Sequence, residues 1–394
     1  MSTKKDLDAL MRRFVDRGLP GASLSVWQGE KTLYEEYFGY ADMARTKPLG
    51  PDTIFRMHSI SKVVSSVCGM IQYERGFFLM DDPVYEYLPE FRDLTVSVRK
   101  PDGTWVVEKA KETMTIRHCF NMNVGFYAHD GSPTESGLKE MHDRLGGSKF
   151  QAGYDLRTET RGLASVPMLF ESGSHWQYGY GLNIMATIVE VTSGMKLGDF
   201  MRKNIFEPLG MESTGFRFRH GWRERLADCV RRLPDGTYGP CTMLMTDPID
   251  AMYREDAAYE APDAGLLSSL GDIQKLSAML ANGGTLGGER ILGRKTVAMM
   301  HQNLLNDAML AEFHASQRHE KGYGYGYGVR TLIDTTEDGT NGSIGEFGWL
   351  GAAGAWMMAD PAERVSAAFM VQDMMPDSRY YNNRLRAVIN GLAE

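Results

Sequence analysis

Apolar residues recur along the first part of the chain with two different periods. Spacings of three and four residues predict an amphipathic helix; the residues that carry this pattern are Leu7, Leu10, Met11 and Phe14. At residues 22–27 and 31–40, apolar and polar side chains alternate, which is typical of half-buried strands. The turn residues Gln28, Gly29 and Glu30 separate these two runs. This part of the chain therefore predicts a helix followed by a β-hairpin.

Helical spacing dominates the middle of the chain. The predicted helices cover residues 61–74, 115–121, 182–192 and 272–282. Gly76 ends the first of them, and Gly283 and Gly284 follow the last. Between residues 96 and 107, the turn residues Pro101, Asp102 and Gly103 predict a further hairpin.

The C-terminal part of the sequence returns to strand-like runs. Strands are predicted at residues 323–332, 355–359 and 365–372, followed by a helix from about residue 379 to 392. Strands near both ends with helices between them favour an α/β protein of the α+β type, in which one sheet is interrupted by a largely helical insertion. We expect residues 1–75 and 240–394 to form the sheet domain and residues 76–239 to form the inserted domain.

The charge balance limits the partners of the protein. There are 43 Lys and Arg residues against 51 Asp and Glu residues, a formal net charge of -8. This acidic balance argues against non-specific binding of nucleic acid, which needs an excess of cations. No apolar run approaches the ~20 residues of a membrane span, and residues 1–21 lack the apolar stretch of a secretory signal. We expect a cytoplasmic protein that binds neither nucleic acid nor membrane.

Residues that commonly hold metals show no metal-binding spacing. The four cysteines lack a short paired spacing, and the nine histidines include no H-E-x-x-H pattern. The G-x-S-x-G turn of ordinary α/β-hydrolases and the phosphate-binding G-x-x-x-x-G-K-[ST] loop are also absent from the sequence. We expect reduced thiols, no metal and no cofactor.

The pattern Ser-x-x-Lys occurs five times in the sequence, so by itself it does not identify a catalytic serine. Only Ser59 and Lys62 stand directly before a long apolar helix, which begins with Val63. There the serine N–H lies at the positive end of the helix, and a lysine three residues later lies on the same face as the serine. A lysine that acts as a base must be held neutral by burial or by nearby positive charge. The alternative is a serine that caps the helix and a lysine on the surface.

Two further segments are candidates for chemistry. Tyr178 lies in a Gly-rich turn just before a predicted helix, where side chains project into clefts and a phenol can move a proton. Residues 347–354 are rich in small residues, which let a backbone approach a ligand and direct N–H groups at it. The alternatives are an aromatic residue packed under a loop and a tight turn at a sheet edge.

In their residues and in their order, these segments resemble the motifs of the serine β-lactamase and penicillin-binding protein superfamily. Within it, the resemblance is closest to the class C-like branch called family VIII carboxylesterases. The motifs that carry it span nearly the whole chain: Pro-Asp-Thr-Ile-Phe-Arg-x-x-Ser-x-x-Lys at 51–62, Thr-Ile-Arg-His at 115–118 leading to Gly125, Trp-x-Tyr at 176–178, Ile-Phe-Glu-Pro-Leu-Gly-Met at 205–211, Gly-Leu-Leu-Ser at 265–268, the Gly-Tyr-Gly strand and Phe-Gly-Trp-Leu-Gly-Ala-Ala-Gly at 347–354.

The resemblance implies roles for individual residues. Ser59 takes the position of the acylated nucleophile, Lys62 that of its general base, and Tyr178 that of a tyrosine in the proton relay. The backbone N–H groups of Ser59 and Ala352 take the position of the oxyanion hole. The family fold is an antiparallel sheet flanked by helices plus a mainly helical domain, with the site in the cleft between them.

Departures from the family pattern affect the predicted pocket. Tyr180 replaces the Asn of Tyr-x-Asn, and Trp349, Leu350 and Gly351 replace Lys-Thr-Gly. Without that lysine, the pocket is less suited to an anionic substrate, and Leu350 narrows it. The loop before residue 126 also differs from the family pattern. We expect the neighbouring aromatic side chains to line the acyl pocket; these are Phe126 and Tyr127.

The leading hypothesis is a serine carboxylesterase that hydrolyses small to medium acyl esters through a Ser59 acyl-enzyme. The alternatives are acyl transfer to an alcohol or amine, then β-lactamase or D-alanyl peptidase activity, and a catalytically inactive binding protein on the same scaffold. The expected partner is a small ester or acyl donor. The sequence leaves the acyl group, the alcohol and the oligomeric state open.

Overall fold

The secondary structure comes from a computed structural model, which describes residues 3–129, 131–145, 153–241, 252–318, 320–374 and 378–393. Its strands are β1 Gly21–Gln28, β2 Lys31–Gly39, β3 Phe55–Arg56, β4 Thr95–Arg99, β5 Trp105–Lys109, β6 Val230–Arg232, β7 Tyr238–Pro240, β8 Leu267–Ser268, β9 Thr285–Leu286, β10 Glu289–Arg290, β11 Tyr323–Tyr325, β12 Arg330–Leu332, β13 Phe347–Leu350, β14 Gly354–Asp360 and β15 Val365–Gln372. Its helices are α1 Lys4–Asp16, α2 Ser61–Glu74, α3 Ile116–Phe120, α4 Pro133–Arg144, α5 Leu156–Leu163, α6 Gly181–Ser193, α7 Leu197–Met201, α8 Glu207–Leu209, α9 Trp222–Arg225, α10 Leu270–Ala281, α11 Arg294–Met300, α12 Asp307–Ser316, α13 Thr335–Asp338 and α14 Ser378–Asn390.

Seven strands from the two ends of the described chain form one antiparallel sheet. The strand order is β11-β12-β13-β14-β15-β1-β2, and β1 pairs with β15 so that Ser23 lies opposite Met370. This sheet and its helices confirm the predicted α+β class. The single strand predicted at residues 323–332 is wrong, because the chain turns at Gly328 (φ +77°) and forms the adjacent strands β11 and β12. Strand β13 occupies the first half of residues 347–354, for which the sequence predicts no strand.

The two faces of the sheet pack against different helices. Side chains alternate across a strand, and on β14 Met357 belongs to the apolar cluster that contains α2 and α6. Its neighbour Trp356 belongs to the second cluster, which contains the apolar faces of α1 and α14. The periodic apolar residues of α1 are completely buried or nearly so. Helices at the predicted positions therefore enclose the sheet from both sides.

The N-terminal half of α2 is the element that positions the site. The residues of α2 from Ser61 to Gln72 are all buried, and α6 packs along the helix. Gly69 permits close packing of α3, because a Cβ there would lie 2.5 Å from a ring carbon of Phe120. The division of the chain at residues 76 and 240 stays a prediction.

The described helices contain no segment that is both long enough and apolar enough to cross a membrane.

Candidate active site

Ser59 lies in a short 3₁₀ turn between β3 and α2. The turn spans His58–Ile60, and α2 begins at Ser61, so Ser59 precedes the helix rather than forming part of it. His58 has a φ of +46°, a left-handed conformation that is uncommon and unfavourable for a residue with a side chain. Strain of this kind concentrates at functional sites, which makes the turn a candidate for one.

Lys62 is buried beside Ser59. Its side chain is 3% exposed, and its Nζ atom lies 3.3 Å from Ser59 Oγ. Lys62 Nζ also donates a hydrogen bond of 2.8 Å to the backbone carbonyl of Asp263 and lies 3.8 Å from the Asp263 carboxylate. The alternative of a surface lysine is therefore wrong. The short distance agrees with the predicted i, i+3 geometry.

The segment from Pro262 to Leu266 holds the first turns of α2 through three hydrogen bonds. Besides the bond from Lys62, Ser65 Oγ donates to the carbonyl of Pro262 at 2.7 Å. The N–H of Leu266 donates to Ser61 Oγ at 3.1 Å. The sequence pattern does not mark this segment as part of the site. Its only signal is that Gly265 and Leu266 belong to the motif at residues 265–268.

Tyr178 completes a cluster with Lys62 and Trp349. The ammonium nitrogen of Lys62 lies 4.6 Å from the centre of the Tyr178 ring. The Trp349 ring stacks on Tyr178 at 5.6 Å with an interplanar angle of 17°, and its indole N–H donates to the Tyr178 hydroxyl at 3.2 Å. The Tyr325 ring contacts Trp349 edge-on at 5.3 Å. Trp349 therefore fixes the orientation of the Tyr178 phenol through both its ring and its N–H group.

The loop after β13 approaches the Ser59 turn closely. A Cβ atom on Gly351 would lie 2.5 Å from the backbone oxygen of Met57 and 3.5 Å from the Cβ of His58. The exposed Ala352 follows directly. Within the described ranges, neither the Ser59 N–H nor the Ala352 N–H donates a hydrogen bond to another backbone group. The structure thus brings together the two segments whose N–H groups were predicted to form an oxyanion hole.

The residues predicted for the pocket lie in different environments. Phe126 is 1% exposed and its ring packs on Phe91, whereas Tyr127 is 43% exposed. The Tyr180 hydroxyl lies 3.3 Å from His142 Nε2. Roles for these three predicted residues in substrate binding stay predictions.

Leu350 and Trp349 lie on opposite faces of β13. Its side chain packs against the second apolar cluster, formed with α1 and α14, whereas Trp349 belongs to the cluster that contains α2. Neighbouring residues on a strand point to opposite faces of the sheet. The role of Leu350 in narrowing the substrate pocket stays a prediction.

The electrostatics of the turn favour a neutral His58. Burial, together with the charges of Arg56 and Lys62, lowers the pKa of His58 to about 4. Burial also raises the pKa of Tyr325 well above its ordinary value, and the neighbouring Tyr178 adds to this effect. Within the described ranges, no three His, Cys, Asp or Glu side chains are grouped in a way that would hold a metal ion.

Comparisons with known proteins agree with this architecture. The family model described as Beta-lactamase matches residues 7–391. Esterase EstB of Burkholderia gladioli is 28% identical over 383 residues, which cover 92% of this chain and 89% of EstB. Two solved structures share the fold: simvastatin synthase LovD from Aspergillus terreus (TM-score 0.82, 20% identity, 98% of this chain and 97% of LovD covered) and EstCE1, a hydrolase with promiscuous acyltransferase activity (TM-score 0.78, 22% identity, 98% of each chain covered). The chain therefore belongs to the beta-lactamase family.

Proposed function

We propose that the protein is a serine carboxylesterase that hydrolyses small to medium acyl esters through an acyl-enzyme on Ser59. The observation that carries this proposal is the buried Lys62 amine 3.3 Å from the Ser59 hydroxyl. A hydroxyl is a weak nucleophile by itself, and an adjacent base is the usual means of activating it. The similarity to EstB, which is named an esterase, supports the same reaction class.

The proposed mechanism has two halves. In the first, Ser59 Oγ attacks the ester carbonyl while Lys62 removes its proton, and the Ser59 and Ala352 N–H groups stabilise the oxyanion. Tyr178 helps to return a proton to the leaving alcohol. In the second half, water attacks the acyl-enzyme and releases the acid.

The environment of Tyr178 favours a neutral substrate. Trp349 presents its indole N–H to the phenol and stacks on its ring, so at this position the site has an uncharged indole rather than a cation to bind a substrate carboxylate. We therefore expect neutral esters to be better substrates than β-lactams, because the carboxylate of a β-lactam needs a positively charged partner. Turnover of nitrocefin with an efficiency comparable to that of simple esters would reverse this order.

Acyl transfer is the second candidate function. It uses the same acyl-enzyme, with an alcohol or amine in place of water. EstCE1 is described as a hydrolase with promiscuous acyltransferase activity, and LovD is described as a synthase. Incubation of the enzyme with an ester and candidate acceptors, followed by mass spectrometry of the products, separates transfer from hydrolysis.

The first experiment compares the hydrolysis of p-nitrophenyl butyrate by the wild type and by Ser59→Ala. Loss of the nucleophile should lower kcat by several orders of magnitude. Ser136→Ala is a matched control, because Ser136 also belongs to a Ser-x-x-Lys pattern but lies exposed on α4. This control should keep wild-type activity.

A serine-directed phosphonate probe tests the remaining alternative, an inactive binding protein. Labelling of the wild type at Ser59, and its absence in Ser59→Ala, supports the acyl-enzyme route even if the chosen ester is a poor substrate. A wild type that is neither labelled nor active on any ester would overturn the proposal. A Ser59→Ala protein with nearly full activity would also overturn it.

A further inference from the structure

Asp263 places a carboxylate next to the amine that the proposed reaction needs in its neutral form. Its Oδ2 atom lies 3.8 Å from Lys62 Nζ, and the Asp263 side chain is 32% exposed, whereas that of Lys62 is 3% exposed. An opposite charge at this distance stabilises the charged form of a buried group. Burial alone acts in the opposite direction, because it favours the neutral amine.

The other two groups described beside Lys62 do not supply a negative charge. On the preceding turn, His58 is buried and its pKa is lowered, so it is neutral at physiological pH. From the loop before α6, the Tyr178 ring contributes a cation–π contact at 4.6 Å, which weakly favours the ammonium. Of these three groups, Asp263 is the one that has a carboxylate beside the Lys62 amine.

The position of Lys62 depends on the backbone of this segment rather than on the Asp263 side chain. The carbonyl of Asp263 accepts the 2.8 Å hydrogen bond from Lys62 Nζ. The hydrogen bonds of Ser65 and Ser61 to the same segment also use its main chain. An Asp263→Asn substitution therefore removes the charge and leaves the three holding hydrogen bonds in place.

We propose that Asp263 acts through Lys62: its carboxylate stabilises the protonated amine and so determines the pH at which the site becomes active. The inference rests on the proposed function, in which Lys62 accepts the proton of Ser59. Ester hydrolysis then rises with pH as Lys62 loses its proton. The carboxylate moves this acid limb of the pH profile towards higher pH.

The test is the pH dependence of kcat/KM for p-nitrophenyl butyrate. The variants are Asp263→Asn, Asp263→Glu and the matched control Asp256→Asn. Asp256 lies exposed in the same part of the chain and pairs with Arg254, so its substitution makes the same change in net charge away from the site. The released p-nitrophenol is quantified after quenching at one fixed pH, so that its own ionisation does not enter the profile.

In Asp263→Asn, the acid limb should move down by about one pH unit, the low end of the range for a close opposite charge because the carboxylate is partly exposed. At a pH well below the wild-type midpoint, kcat/KM should then be up to about tenfold higher than in the wild type. Asp263→Glu and Asp256→Asn should keep the wild-type midpoint. An unchanged or raised midpoint in Asp263→Asn would overturn the inference.

The rate of phosphonate labelling of Ser59 against pH provides a second readout that does not require turnover. It should show the same downward shift in Asp263→Asn, and its absence would count against the inference. Failure of the proposed function has a different signature, since it would leave Ser59→Ala active or the wild type unlabelled.

Discussion

Adding a single methyl group at Gly351 should disable the site without unfolding the protein. The Cβ of Gly351→Ala would lie 2.5 Å from the Met57 carbonyl oxygen, which is backbone and cannot rotate away. To reach an ordinary contact of 3.4 Å, the loop must move away from the turn by about 0.9 Å. The N–H of Ala352 moves with it. An oxyanion donor that starts at about 2.9 Å is then at about 3.8 Å, beyond hydrogen-bonding distance.

Loss of one oxyanion donor lowers kcat by about 10²–10³, or about 3–4 kcal/mol of transition-state stabilisation. We therefore expect this loss in the initial rates of p-nitrophenyl butyrate hydrolysis by Gly351→Ala, with KM nearly unchanged. Gly271→Ala is the control, because a Cβ at this helical position has no atom within 4 Å. Its kcat should equal that of the wild type. If Gly351→Ala keeps kcat within about threefold of the wild type while its melting temperature is unchanged, the close approach of the loop does not determine the oxyanion geometry.

Three further predictions concern other parts of the structure. Trp349→Phe keeps the stacking on Tyr178 but loses the indole donor, so kcat should fall about three- to tenfold, the effect of one hydrogen bond. The control is Trp356→Phe, because the indole N–H of Trp356 is unpaired within the described chain. This control should leave steady-state kinetics unchanged. Arg386→Leu removes the cation that pairs with two buried carboxylates, and urea unfolding should show a loss of about 3–5 kcal/mol. Burial raises the pKa of Asp373 to about 6, so its ionisation destabilises the fold as pH rises from about 4 to 6. Asp373→Asn should therefore be more stable than the wild type at pH 8 by about 2–3 kcal/mol, and this difference should vanish near pH 4. If urea unfolding gives the same difference in the free energy of unfolding at both pH values, the pKa of Asp373 is not raised.

Local patterns were sufficient to predict six of the helices named above, which are α1, α2, α3, α6, α10 and α14. Helix α2 begins at Ser61 and ends at Glu74, as its apolar spacing indicated, because its burial depends on its own period. The strand predicted at residues 323–332 failed for a non-local reason. The chain turns at Gly328, which packs so closely on α2 that a Cβ on this residue would overlap Ser66 Oγ. Nothing in the alternating run of residues 323–332 indicates that contact.

The candidate site also combines a local contact, which the sequence predicts, with a long-range contact, which it does not. Ser59 and Lys62 are three residues apart, so the 3₁₀ turn that leads into α2 is enough to place them together. The contact between Lys62 and Asp263 joins residues about 200 positions apart, and no spacing rule predicts it. The face of the sheet on which Leu350 lies could not be predicted, because the alternation of β13 can be interpreted only when its neighbours in the sheet are known.

The pairing of β1 with β15 has a consequence for the order in which the protein can be made. Ser59 leaves the ribosome long before Ala352, and at 5–20 residues per second about 15–60 seconds of synthesis separate them. During that time β1 has no partner on its β15 side, and contacts this distant in sequence form slowly. A nascent chain therefore carries Ser59, the proposed nucleophile, without the loop that we propose for the oxyanion hole. Reactivity towards esters should begin only when the last strands have joined the sheet.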